Sequence, residues 1–413
     1  MEILKIILNV IEIVFFGYLF ISTLYILIFG IAGLFYVENI TQVESKLRKI
    51  AVLIPGYKED MVIVNVAKHA LTQSYPKEKY DIFVIADSFA EETLEKLNKL
   101  PIDVLIIDIE LRNKAKALNW CLSRIDDDYD MVFILDADNE MGVNVLANIN
   151  AAFDRGFKIV QGHRTAKNMN TNFAILDAIS EEINNNIFRK GHRVLGISAA
   201  LAGSGMGLDF HLFKEIISTL DMGGTCEDKE LELRIIKEGG LIEYVSEAHI
   251  FDEKTQQSKA FINQRRRWIA CQLHYFSSYF LDATKDLIRK RNIDYFDKVL
   301  QFAIPPRILT LGILLVFTII SCCVYFISSE FYYSWLTIDC YFWLILFLSN
   351  LITLIICVPR KFSKVITFGV LISIPYGFIL MILSLLKLKG ASKKWIHTPH
   401  TFNKKNELYN NKF

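Results

Sequence analysis

The stretch "KIAVLIPGY" (residues 49–57) sets five consecutive apolar residues between a lysine and a Pro-Gly pair. A run this short, rich in branched side chains and closed by a turn signal, predicts a buried strand that feeds a loop. The pattern returns in "YDIFVIADS" (80–88), "IDVLIID" (102–108) and "DMVFILDAD" (130–138). Between these runs, "MVIVNVAKHALTQS" (61–74) and "NKAKALNWCLSRI" (113–125) space their apolar residues as amphipathic helices do. Alternating strands and helices predict an α/β fold with a doubly wound, mostly parallel sheet, whose ligands gather at the carboxyl ends of the strands. Those ends carry Tyr57 with Glu59, Asp87 with Ser88, and Asp136 with Asp138.

Composition divides the chain in two. Of the 413 residues, 52% are hydrophobic and 22% charged, with a mean hydropathy of +0.30. That is too apolar for an ordinary soluble chain and too charged for one lying wholly in lipid, so membrane and aqueous parts are expected. The net charge of +1 argues against a nucleic-acid binder, which carries a basic excess. The seven cysteines offer no pair at zinc-ligand or redox spacing. They are expected to be reduced, in the core or facing lipid.

Residues 6–37 are apolar apart from Asn9, Glu12 and a few hydroxyls. This exceeds the roughly 20 residues a spanning helix needs and the core of a signal peptide. One tilted N-terminal transmembrane helix is therefore expected within 1–37, over about 12–37. Apolar runs at about 306–328, 336–358 and 365–388 predict C-terminal transmembrane helices within 301–390, followed by a lysine-rich tail, 391–413. The link "PRKFSK" (359–364) holds three cations and "SSEFYYSWLTID" (328–339) none. By the positive-inside rule the former is cytoplasmic, which puts the aqueous domain, 38–258, in the cytoplasm of an integral inner or plasma membrane protein. Three C-terminal spans would put the tail outside, against the same rule. Either a re-entrant or interfacial 365–388, interrupted by Pro375 and Gly377, returns it to the cytoplasm, or the tail breaks the rule.

Each polar motif has two readings. Asp136 and Asp138, two apart in extended chain, point the same way, so both can reach one hard divalent ion; equally, they are a solvated strand end. In "GGTCEDKELELRI" (223–235), Thr225 or Glu227 caps a helix whose acidic first turn suits the macrodipole. The sharper alternative makes Asp228 a general base for a hydroxyl nucleophile. "AGSGMG" (202–207) is a tight turn or a close approach to a ligand, and matches no phosphate-binding fingerprint. "DDDYD" (126–130) is a charged loop. "QRRRW" (264–268) is an interfacial segment, or an arginine fork for a diphosphate with Trp268 stacked on a sugar.

Taken in order, "IPGYKED" (54–60), "ADS" (86–88), "NKAKALN" (113–119), "DAD" (136–138), "GSG" (203–205), "CEDKELELR" (226–234) and "QRRRW" resemble the family 2 glycosyltransferases of GT-A fold. The resemblance is greatest to the membrane-integrated branch with cellulose, chitin, hyaluronan and poly-N-acetylglucosamine synthases. It implies a UDP-sugar donor, a Mg²⁺ or Mn²⁺ cofactor, and a glycan or membrane lipid acceptor. Carried over by motif, Pro55, Tyr57, Glu59, Asp87, Lys114 and Asp136 would bind the donor and Asp138 the cation. Asp228 would be the catalytic base. Gly203, Ser204, Gln264, Arg267 and Trp268 would meet the acceptor and diphosphate, on interfacial helices over 259–300, leaving Arg265 and Arg266 as interface charges. Asn113 and Cys226 depart from the usual glycine and threonine. Three functions compete: processive polysaccharide synthesis with membrane translocation, transfer of one hexose or N-acetylhexosamine to a lipid, and a non-catalytic scaffold.

Overall fold

The computed structural model describes residues 2–38, 46–108, 111, 113–220, 226–254 and 258–386; the tail 391–413 and Thr225 lie outside them. Strand β1 (Ile50–Tyr57) pairs in parallel with β2 (Tyr80–Asp87) and β4 (Met131–Ile134), and β2 with β3 (Asp103–Ile107). Side chains alternate across a pleated strand. Ile50, Val52 and Ile54 accordingly enter one core with α2 (Ile63–Ala70) and α5 (Val145–Asp154), while Ala51 and Leu53 enter the other with α4 (Lys114–Leu122). Helix α3 (Glu91–Leu97) completes the crossovers.

Beyond β4 the sheet changes character. The strand order is β3-β2-β1-β4-β7-β6-β8-β5, with β5 (Glu140–Met141), β6 (Ile159–Ala166), β7 (Met206–Asp209) and β8 (Ile242–Asp252). β7 runs antiparallel to both β4 and β6, β6 and β8 are parallel, and β5 is antiparallel to β8. The sheet is thus mixed, and the mostly parallel arrangement holds for β3-β2-β1-β4.

Helix α6 (Asn172–Asn184) continues through a π-helical stretch, Asn185–Gly191, into α7 (His192–Val194). α8 (Phe210–Ser218) and α9 (Glu227–Lys237) flank β7 and β8 in sequence, and α10 (Ser258–Lys290) and α11 (Ile293–Gln301) lead to the apolar helices. Those are α12 (Arg307–Ile327), the short α13 (Ser329–Trp335), α14 (Cys340–Ile356) and α15 (Phe368–Leu385). Helix α1 (Glu2–Leu34), α12 and α15 are long and apolar enough to cross a membrane; α14, at 17 residues, is shorter. α1 extends ten residues N-terminal of the expected span, and α15 is one continuous helix with Pro375 inside it.

Polar pairs join these helices to the sheet domain. Tyr25 of α1 donates to Asp297 (2.8 Å) and lies 2.9 Å from His192 Nε2. Arg307 donates to Asn184 (2.6 Å) and Ser180 (3.0 Å), and Lys361 pairs with Glu182 (3.2 Å). α1 crosses the π-helical stretch so closely that a Cβ at Gly33 or Gly191 would overlap the carbonyl oxygens of Asn186 and Phe29.

Candidate active site

Parallel register brings Tyr57 beside Asp87 where β1 and β2 end. Both strands then turn through non-glycine residues of positive φ, Lys58 (56°) and Ser88 (62°), and Lys58 N donates to Asp87 O (3.1 Å). Such conformations cost energy and persist where surrounding structure enforces them. Gly56 has a separate reason: a Cβ there would sit 2.6 Å from the Phe89 ring. The buried Asp87 carboxylate is oriented by Ser88 Oγ (2.9 Å) and Leu111 N (3.1 Å).

Two further segments converge on this edge. Asn113 accepts from Lys116 N (2.9 Å) and so caps α4, a capping role that glycine fills without a side chain. Lys114, the first residue of the helix, bonds to Asp136 and donates to Gly203 O (2.6 Å). Across Gly203, whose added Cβ would lie 3.7 Å from Asp228, stands the first turn of α9. Glycine separates the two aspartates.

Asp228 is followed by Lys229, whose ammonium lies 3.8 Å from it, 2.9 Å from Leu201 O and 3.2 Å from Glu232. Burial works against the Lys229 charge, but Glu232 and Asp228 outweigh it and hold its pKa above the ordinary value. Burial likewise opposes the Glu232 carboxylate, and Lys229, Lys298 and the Leu201 amide together keep its pKa low. Lys298 reaches Glu232 at 3.2 Å, both side chains being 1% exposed.

The far wall belongs to α10. Gln264, Arg267, Trp268 and Cys271 recur at three- and four-residue spacing, so one helical face carries them all into the cleft. Arg265 does not remain an interface charge. It pairs with Asp177 of α6 (2.6 Å) and lies over the Trp268 ring (4.4 Å), fixing the helix beside α6. Cys271 is disulfide-bonded to Cys226, 45 residues earlier. The expectation that all cysteines are reduced is therefore corrected for this pair: sequence spacing cannot register a bridge made by two helices meeting in space. Cys226 also precedes α9 without a side-chain cap, and Thr225 falls outside the described residues.

A cleft of about 700 Å³ is lined by every candidate site residue except Ser204, whose side chain is fully buried. Sequence reading passed over one part of its wall. Arg164 of β6 donates to Ala202 O (2.8 Å) and pairs with Asp252 at the end of β8; Lys254 lies 2.9 Å from Asp252 and 4.0 Å from Glu181, which pairs with Arg189 (3.0 Å). Burial alone would raise the Glu181 pKa, but Lys254, Arg189 and Arg164 hold it well below the carboxylate range. The signal was present in "IFDEK" (250–254), a strand ending in charges like the three others.

Among the described residues no group of three or more His, Cys, Asp or Glu side chains could enclose a metal ion. The oxygen donors of Asp136 and Asp138 do fit a hard cation completed by substrate phosphates and water, as Mg²⁺ commonly is.

Residues 48–271 match the model of the glycosyltransferase-like family 2. A probable glycosyltransferase of Bacillus subtilis, YdaM, is 26% identical over 268 residues, which cover 60% of this chain and 61% of YdaM. The chain thus spans about three-fifths of that relative's length. The mannosyltransferase PcManGT from Pyrobaculum calidifontis, solved with GDP-mannose and Mn²⁺, superposes over 83% of this chain and 99% of its own, with a TM-score of 0.53 at 15% identity. That likeness concerns the fold. With the matched region running from β1 to the disulfide on α10, and so enclosing nearly the whole cleft, the chain belongs to the family 2 glycosyltransferases.

Proposed function

We propose that the chain is an inverting transferase that moves a hexose or N-acetylhexosamine from a UDP-sugar to a growing polysaccharide, processively and with passage of the product across the membrane. The observation carrying this reading is the meeting of Asp136, Asp138, Asp228 and the Gln264–Trp268 face in one cleft. The acceptor oxygen attacks the anomeric carbon, its proton passes to Asp228, and the bond to the diphosphate breaks with inversion. Lys114 and Arg267, both lining the cleft, would be the cations that receive the leaving diphosphate. Asp138 would hold Mg²⁺ or Mn²⁺, which supplies charge neutralisation at that diphosphate. Three apolar helices and the basic link 359–364 support an integral membrane protein with this domain in the cytoplasm.

A second reading, transfer of one sugar to a membrane lipid, is favoured by the apolar side chains Leu118, Phe213, Ile217, Leu231 and Phe302, which line the cleft from the hydrophobic core. The test is purified protein in nanodiscs with UDP-sugars and Mg²⁺ or Mn²⁺. GDP-mannose, the donor bound by the Pyrobaculum enzyme, serves as the contrasting donor. A long product sized by gel supports the first reading and a single-sugar lipid the second. Release of no nucleoside diphosphate from any donor would overturn both.

A further inference from the structure

Behind Asp136 and Asp138 stand three buried polar side chains. Gln161 of β6 accepts from Ala202 N at its Oε1 (2.8 Å) and donates from Nε2 to the carbonyls of Gly162 (2.9 Å) and Ser204 (3.0 Å). Its amide therefore pins both ends of the turn at 202–204. Ser204 Oγ accepts the backbone amide of Asp136 (2.9 Å). The Asn139 amide satisfies its surroundings with its oxygen 2.7 Å from Ser204 Oγ and its nitrogen 3.3 Å from both oxygens of Asp138. Gln161 and Ser204 are 0% exposed and Asn139 1%, so a bond lost here leaves a polar group that water does not readily reach.

This relay acts where the sheet stops helping. β4 ends at Ile134, and Asp136 and Asp138 lie beyond its ladder. The spacing of two carboxylates that share a ligand must be held to a fraction of an ångström by their supporting groups.

We infer that Gln161, Ser204 and Asn139 are positioning residues: they fix Asp136 and Asp138 relative to each other, and Ser204 serves that turn rather than the acceptor. The inference rests on the proposed donor and cation site. None of the three side chains takes part in bond making. Their effect reaches the reaction through the two carboxylates.

The test uses Ser204→Ala, Asn139→Ala, Gln161→Leu and the Ser204→Ala/Asn139→Ala double variant, in detergent or nanodiscs. Hydrogen exchange of the peptide containing residues 134–139, without donor or metal, should accelerate about tenfold in Ser204→Ala, whereas peptides from α3 should not change. Mn²⁺-dependent UDP binding, measured by calorimetry, should weaken about tenfold in each single variant, and the double variant should fall short of the sum. The inference is overturned by unchanged exchange and unchanged Mn²⁺-dependent affinity, by fully additive losses, or by acceleration spread equally to α3. Absence of turnover with any sugar nucleotide would sink the functional reading alone, because the exchange measurement still decides this one.

Discussion

One wall of the cleft hangs from the ends of β1, β2 and β4, while the opposite wall is carried by α9 and α10. At β1 and β2 the strand-end wall takes its positions from backbone, through the Tyr57–Asp87 register and the Lys58 N to Asp87 O bond, whereas Asp136 beyond β4 leans on the Ser204 hydroxyl. The helical wall takes its positions from side chains: Arg265 with Asp177, Lys298 with Glu232, and the Cys226–Cys271 bridge. A backbone-held group can be replaced without moving its neighbours. A wall held by side chains moves when one of them is lost.

The largest expected effect isolates chemistry from placement on the helical wall. Asp228→Asn keeps shape and removes the proposed base, so kcat should fall about 10²- to 10⁴-fold. UDP affinity, followed by calorimetry, should stay within the scatter of the wild type; a parallel loss of both would make Asp228 a binding group. Next comes Lys298→Met, which leaves the 1%-exposed Glu232 with Lys229 as its remaining cation. Breaking a buried pair costs about 3–5 kcal/mol. Denaturant unfolding should register it, and a loss below about 1 kcal/mol, as at exposed pairs, would break the contrast between the walls.

The bridge between α9 and α10 gives a third test. It closes a 45-residue separation, and disulfides of this kind stabilise by about 2–4 kcal/mol. Denatured, unreduced protein should present five reactive thiols and reduced protein seven, with a lower melting temperature. Seven thiols without reductant would mean that the helices are untethered. The smallest effect belongs to the strand-end side. Asn113→Gly exchanges one good helix cap for another and should cost a few tenths of a kcal/mol, with donor KM unchanged.

The same contrast governs what the sequence made legible. Strands 50–57, 80–87 and 131–134 announced themselves because each is one apolar run ending in polar residues, and the groups at their ends could be named from that pattern alone. β7 was hidden: its four residues, Met206–Asp209, follow a glycine turn with no apolar run to mark them. Gln161 carried no mark in the sequence, since its partners at 202 and 204 are some 40 positions away. The disulfide and the pairing of Arg164 with Asp252 were hidden for the same reason, being products of tertiary approach, whereas Asp252 and Lys254 stood in plain view at the end of their strand.

The junction of α1 with the π-helical stretch bears on how the enzyme can be handled. Ile183 and Ile187 pack there against Tyr25, Ile26, Phe29 and Cys357, so both ends of the chain cover one apolar patch of the catalytic domain. Excising residues 46–301 as a water-soluble fragment would strip that cover away and strand Glu182 and Asn186 without Lys361 and the Gly30 carbonyl. Such a fragment would aggregate through the uncovered patch. The apolar helices are therefore part of the cover of its core, and a preparation meant to be active should retain them.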